Sequence, residues 1–437
     1  MNRWLLAGLL GLAILVFLMP GIVGMLAERS LDKQLDKNSQ LGGTYAVREL
    51  DFRRGWFTSA GRHRVPVADQ DVARIIATLT PGAGLPAASA LIIDTRLEHG
   101  LVPLGSAPRS ASALIPALAT GVSTFSLELP TGNVLPVPGV LYSRIGLTGS
   151  ATFRFELPAG DETRDGVRLV WQAGDLGLSS NNNGRELSIS ADLAGLLFND
   201  GVQRLELAQL QMAGNSRATS WGFAIGDVDL ELKEAAWLTG DTQNRIKGLD
   251  LSATSAIEGS ALQGALQLNM LGLDTDDGRY DLEIIANAAG VDAATLGPIL
   301  RALRYSGSDP RRGAEPYPGF DGDLRRLMSA GVAITIDSLQ LRTFEGDGVA
   351  SLSVTVPKLD ETASWPGLLL ALEASANIEI DSTRVEAPSP LSEQFRVLVA
   401  GGFLVPDGEV YRLQADYAKG KATVNGAPLV IPMDMLR

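Results

Sequence analysis

The sequence contains no cysteine, which removes disulfides, thiolate nucleophiles, iron–sulfur clusters and every cysteine-containing zinc site at once. That absence leaves the compartment open, because an exported chain with a sufficient core needs no disulfides. Histidine is nearly as scarce, with His63 and His99 the whole supply. A three-histidine zinc site is therefore excluded, and a facial triad would need both histidines plus a carboxylate. Each reads as a strand or loop surface residue. Aromatics make up only 6% of the chain, and 37 Lys and Arg face 50 Asp and Glu for a formal charge of −13. Such a surface is repelled by phosphate backbones and anionic headgroups, so nucleic acid is not an expected partner, although a local basic patch can sit inside a negative total. There is neither a Walker loop nor a G-x-G-x-x-G opening a helix.

What the chain does have is 45% hydrophobic residues, 48 Gly and 22 Pro in 437 residues, the composition of a turn-rich globular protein with two or three cores. From Trp4 to Ala27 no side chain is charged, and the stretch would reach about 36 Å as a helix, enough for a hydrocarbon core of about 30 Å. It is expected to be a retained membrane anchor carried by Trp4, Leu5, Leu6, Leu9, Leu10, Leu12, Ile14, Leu15, Val16, Phe17 and Leu18. A signal-peptide cut after Ala27 would place Met25 where a small residue is wanted. The positive-inside count sets Arg3 against Arg29, Lys33 and Lys37 and is close to a tie, so export is inferred from the layout of a short tail, one helix and a large body. The expected location is the inner (cytoplasmic) membrane, single-pass, with the bulk in the periplasm.

Beyond the anchor, apolar and polar residues alternate with period two, the mark of strands with one buried face. Phe153, Phe155 and Leu157 alternate with Arg154 and Glu156, and Leu262, Leu266, Leu268 and Met270 with Gln263, Gln267 and Asn269. Ala350, Leu352, Val354 and Val356 repeat the pattern, as do Leu372 to Ile380 and Tyr411 to Tyr417. Half-buried strands suit antiparallel sheets. The expected fold is mainly β, with antiparallel, strongly twisted or curved, meander-like sheets and a few short helices behind one N-terminal transmembrane helix. Asp277-Gly278, Asn183-Gly184, Asp347-Gly348, Asp407-Gly408 and Asn425-Gly426 read as hairpin turns. The apolar phase slips across Gly226 and across Asp337, where bulges or corners are expected. Helices are expected from Asp292 through Leu303 with Pro298 inside, from Asp321 to Ser329, and from Ser389 to Val399. In domain terms, residues 1–27 are the anchor, 28–43 a helical stalk, 44–305 a β-rich periplasmic domain, 306–319 a Pro- and Gly-dense linker, and 320–437 a C-terminal α+β subdomain.

Catalytic patterns fall short one by one. Gly214-Asn215-Ser216-Arg217-Ala218 resembles a nucleophile elbow but lacks the last Gly and reads as a strand-to-strand turn. Ser30-Leu31-Asp32-Lys33 fits S-x-x-K without S-D-N or K-T-G. Asp274, Asp276 and Asp277 before Gly278 look like a calcium loop with one ligand out of place and no closing Glu. No catalytic, cofactor-binding or metal-binding residue is assigned, and the chain is expected not to be an enzyme.

The segment Phe52-Arg53-Arg54-Gly55-Trp56-Phe57-Thr58-Ser59 resembles the YdgA-like family of bacterial envelope proteins. So do Thr343-Phe344-Glu345-Gly346 and the closing pattern of Leu398-Val399-Ala400-Gly401-Gly402-Phe403-Leu404 followed by Val424-Asn425-Gly426-Ala427-Pro428-Leu429. The resemblance implies one inner-membrane anchor and a β-rich periplasmic body, and it supplies no catalytic residues. On physical grounds Gly55 reads as a turn with Trp56 and Phe57 as a core plug, and Asn425-Gly426 as the last hairpin turn. The expected function is a non-catalytic binding or scaffolding module for a hydrophobic (lipid) ligand or an envelope protein. The alternatives are a hydrolase of envelope polymers using two carboxylates, and a structural spacer. A long apolar trough would favour lipid, and a polar cleft with converging carboxylates would favour hydrolysis.

Overall fold

A computed structural model describes residues 48–55, 57–66, 90–99, 117–128, 134–164, 167–181, 184–199, 201–239, 242–276, 278–306, 319–387 and 390–429. The anchor residues, the stalk and Trp56 lie outside them. Among the described residues no helix is long and apolar enough to cross a membrane. The described residues are mainly antiparallel β, 70% strand against 14% helix, as the alternation predicts. By compactness it divides into two units, Met1–Phe198 and Asn199–Arg437.

The first unit contains β1 (Arg48–Arg54), β2 (Thr58–Pro66), β3 (Ala90–His99), β4 (Ala117–Glu128), β5 (Val134–Gly146), β6 (Ala151–Leu157), β7 (Gly160–Arg164), β8 (Val167–Trp171), β9 (Gly174–Asn181) and β10 (Glu186–Asn199). From β1 to β6 each strand pairs antiparallel with the next. β6 and β7 together pair with β9 and β8 in one unbroken register, Leu157 opposite Gly174 and Gly160 opposite Trp171, so the four strands form one long interrupted hairpin. Trp171 holds the interruption together. Its buried indole Nε1 donates to Pro158 O at 2.7 Å, and its ring fills the space a Cβ on Gly160 would need.

The second unit is a meander through β11 (Gln203–Ala218), β12 (Ala224–Thr239), β13 (Thr242–Ile246), β14 (Gly248–Glu258), β15 (Ala261–Thr275) and β16 (Gly278–Asp292). Helices α1 (Ala293–Ser306) and α2 (Phe320–Ser329) lead to β17 (Val332–Thr343) and β18 (Gly346–Val356). Helix α3 (Trp365–Ala371) precedes β19 (Glu373–Asp381), after which come α4 (Ser382–Glu386), α5 (Pro390–Ala400), β20 (Val405–Asp407), β21 (Val410–Ala418), β22 (Lys421–Val424) and β23 (Ala427–Leu429). β13 and β14 share one register against β12 and act as a single strand. β16 pairs with β17, so the strands on either side of 306–319 belong to one sheet.

Local signals account for much of this. Asp292 Oδ2 accepts from Thr295 N at 2.8 Å, capping α1 as expected. Asn425 and Gly426 both take positive φ between the paired Val424 and Ala427, a two-residue turn matched to sheet twist. At Asp337 the register shifts, which is the expected bulge.

Three expectations are corrected. Gly226 is no bulge, since β11 and β12 stay in register through Ser216–Gly226. The glycine is there because a Cβ would overlap Asn215 O, and its N–H donates to Ser255 Oγ at 3.0 Å. Asp347-Gly348 is no turn but lies inside β18, because Phe344-Glu345 turns the chain and Gly346 supplies the positive φ. Helices α3 and α4 were not expected; Ser364, whose Oγ accepts from Gly367 N, followed by Pro366 at the helix start, is the cap signal that marks α3.

Candidate functional site

In antiparallel ladders directly paired residues share a face, so registers turn alternation into rows running across strands. One row in the second unit is Met212, Leu230, Leu251, Leu268, Ile284, Leu339, Ala350, Ile378 and Leu413. Two residues along each strand, or three across the β17 bulge, lies another: Val228, Ala253, Leu266, Ala286, Ile336, Leu352, Ala376, Ala415 and Val424. A third runs Leu232, Leu249, Met270, Leu282, Leu341, Gly348, Ile380 and Tyr411. With strands about 4.8 Å apart, the first row is about 38 Å long measured along the sheet. Its members carry no side-chain hydrogen-bonding group.

This face is not closed into a core. Of the residues in the three rows only Ile380 is buried. Leu266 is 39% exposed and Leu352 is 36% exposed, as open as surface residues. Among the described residues, cover is confined to the margins. At one, α4 and α5 bring Val385, Phe395, Leu398 and Val399 onto Ile380, Leu404 and Tyr411. At another, α1 lays Ala293, Leu296 and Leu300 over Phe223, Ile225, Ile257 and Leu262. Leu368 of α3 is buried, and the Tyr417 hydroxyl donates to Leu369 O at 2.9 Å.

The first unit has its own apolar face, in which Phe153, Leu178 and Ile189 form one row and Phe155, Leu176 and Ala191 the next. Leu176, Leu178, Leu187 and Ile189 are exposed. Toward β3 and β4 the face turns mixed. The hydroxyls of Thr95 and Ser123 bond at 2.8 Å, and Phe125 meets Phe155 edge-on at 5.7 Å.

A cleft of about 840 Å³ opens where the start of α1, the end of α2 and the ends of β17 and β18 meet. Ala289, Gly290, Ala330 and Gly331 make it roomy, and Asp323, Arg326, Lys358 and Glu361 give it charge of both signs. Asp323 is engaged by Arg326, and Asp292 is spent on the α1 cap. Among the described residues no group of three His, Asp or Glu could hold a metal ion.

The residues singled out in the sequence fall mainly into structural roles. Ser216 sits within β11 opposite Gly226, in a hairpin, not on a nucleophile elbow. His63 is in β2 opposite Ile93, half-buried, and its Nδ1 has no hydrogen-bond partner among the described residues. Gly55 N donates to Thr58 O at 2.7 Å in the β1–β2 turn. The core-plug reading fails for Phe57, which is 47% exposed. The two parts of the closing pattern meet: Asn425 Nδ2 donates to Phe403 O at 2.9 Å and its Oδ1 accepts from Gln414 N at 2.9 Å, so the last turn is tied to the loop after α5. Glu345 forms a buried ion pair with Arg384 of α4, a partner that nothing in the sequence linked to it. Gly346 lets that hairpin approach, because a Cβ would crowd Thr383 Oγ1 and Asp381 Cβ at 2.7 and 2.9 Å.

No curated protein and no solved structure matches the chain. The family model described as "Bacterial protein of unknown function (DUF945)" matches residues 1–432, and the chain belongs to that family.

Proposed function

We propose that the chain is a non-catalytic binding module of the bacterial envelope, YdgA-like, held in the inner membrane by the helix Trp4–Ala27 with its body in the periplasm, and that its ligand is the acyl part of a lipid. The observation that carries this reading is the open apolar face of the second unit. Exposed apolar surface on this scale is costly in water and marks an interaction site. Ladder pairing joins neighbouring strands along the rows, and the first row offers no side-chain hydrogen bond. A hydrocarbon chain asks for none, which makes it the simplest occupant. The hydrolase alternative would have to draw on the α1–α2 cleft, where Asp292 and Asp323 are already engaged and Glu361 stands without a paired carboxylate.

The reading is tested by photo-crosslinking in living cells with a benzophenone amino acid at Leu266 or Leu352, against Gln267 or Ser353 on the opposite face. Lipid-mass adducts at the first pair and none at the second are expected. Protein adducts at Leu352, or no adduct at either apolar position, would overturn the lipid reading. A periplasm-active reporter fused after Arg437 tests the topology, and activity only from a cytoplasmic reporter would reverse it.

A further inference from the structure

The first unit carries a basic depression on the face opposite its apolar one. It has a volume of about 550 Å³ and is lined by Asp51, Arg53, Ala60, Arg62, Asp94 and Arg96, with Val122 and Thr124 at its far wall. Registers place these side chains in two adjacent rows. In one, Asp51, Arg62, Asp94 and Thr124 stand side by side, so Arg62 lies between two carboxylates and reaches Asp94 at 3.6 Å. In the other, Arg53, Ala60, Arg96 and Val122 stand side by side, so two arginines flank an alanine. Neighbouring strands are about 4.8 Å apart, which puts the backbones of Arg53 and Arg96 about 10 Å from each other, within converging reach of two guanidinium groups. Ala60 leaves the space between them empty.

The charges in the two rows do not cancel alike. Arg62 is outnumbered by its acids. Arg53 is paired with Asp51 at 2.9 Å, but that pair is exposed and yields readily to a better anion. Among the described residues nothing pairs with Arg96. Three guanidinium groups face two carboxylates, a local excess of positive charge in a chain of net −13. Guanidinium groups converging on a hollow suit an oxyanion with several acceptor oxygens, which each can engage through two parallel N–H donors.

We propose that the hollow over Ala60 binds a phosphate oxyanion held between Arg53 and Arg96, either as a lipid headgroup or as free phosphate. The site is independent of the apolar face of the second unit. Two further features bear on the source. β1 follows the expected anchor by a short stretch of chain, which favours a headgroup. The exposure of the hollow makes binding strongly salt-dependent.

The test uses the full-length chain in a neutral maltoside detergent. Calorimetric titrations are run with inorganic phosphate, with dihexanoyl phosphatidylglycerol and with dihexanoyl phosphatidylcholine, at fixed ionic strength. Saturable binding of phosphate or of phosphatidylglycerol is expected. Phosphatidylglycerol at least tenfold tighter than phosphate assigns the headgroup, and equal affinities assign the free anion. Arg96→Gln and Arg53→Gln should each weaken binding about tenfold, Arg96→Lys should recover part of it, and Ala60→Leu should block it with both arginines present. Arg168→Gln, on the distant β7–β8 hairpin, should leave it unchanged. All of these positions are exposed, and unchanged circular dichroism will show the variants folded. Absence of saturable binding by either phosphate compound, or Arg96→Gln and Ala60→Leu binding like the parent, would overturn the proposal.

Discussion

Ile380 and Leu352 lie on the same face of neighbouring strands, β19 and β18, and the alternation around each is written alike. Ile380 is 4% exposed beneath α4 and α5, whereas Leu352 stands open. The contrast shows that an apolar face and a core are different things. Period two decides which side chains share a face, and only the return of another element decides whether water is excluded from it. Among the described residues, helices cover the margins of this sheet and leave its middle open.

The comparison breaks first where burial is deepest. Ile380→Asp places a charge among Val385, Leu404 and Tyr411 and should cost about 3 kcal/mol or more, read as a fall in the denaturation midpoint or loss of folded protein. Next comes Arg384→Gln, which leaves the Glu345 carboxylate buried without its partner. It should cost about 3 kcal/mol, and Glu345→Gln in the same chain should restore part of the loss in a double-mutant cycle. Leu352→Asp sharpens the contrast, because the new carboxylate stays solvated. A stability change under about 1 kcal/mol is expected, with loss of lipid adducts at the neighbouring Leu266 position. If Leu352→Asp unfolds the protein as Ile380→Asp does, the face is closed in solution and the trough is not a binding site.

The smallest effect belongs to the exposed pair on the β7–β8 hairpin of the first unit. Arg168 donates to Asp161 at 2.7 Å, and this hydrogen bond, more than the bare charge, holds the Asp161 carboxyl below its ordinary pKa. A depressed carboxyl pKa contributes stability above the unfolded value and loses it as pH falls through the folded one. The pair is fully solvated, so Arg168→Gln should leave the melting temperature unchanged. The Asp161 carbon-13 titration should still move upward toward the usual carboxylate range.

The sequence by itself determined whatever depends on neighbours in the chain. The sided strands, the Asn425-Gly426 turn, the Asp292 cap and the bulge at Asp337 were all legible, because each follows from a few consecutive residues and their backbone preferences. The impossibility of cysteine and three-histidine chemistry was legible too. Tertiary structure alone decided the rest. Gly226 was misread because its need is for clearance from Asn215, a residue on the paired strand. The Glu345–Arg384 pair joins a hairpin turn to a helix 39 positions later, and the meeting of Arg53, Ala60 and Arg96 requires three strands in one register. Whether Leu266 and Leu352 are covered was undecidable from alternation, because burial depends on where distant helices return, and that is set by the whole unit's packing.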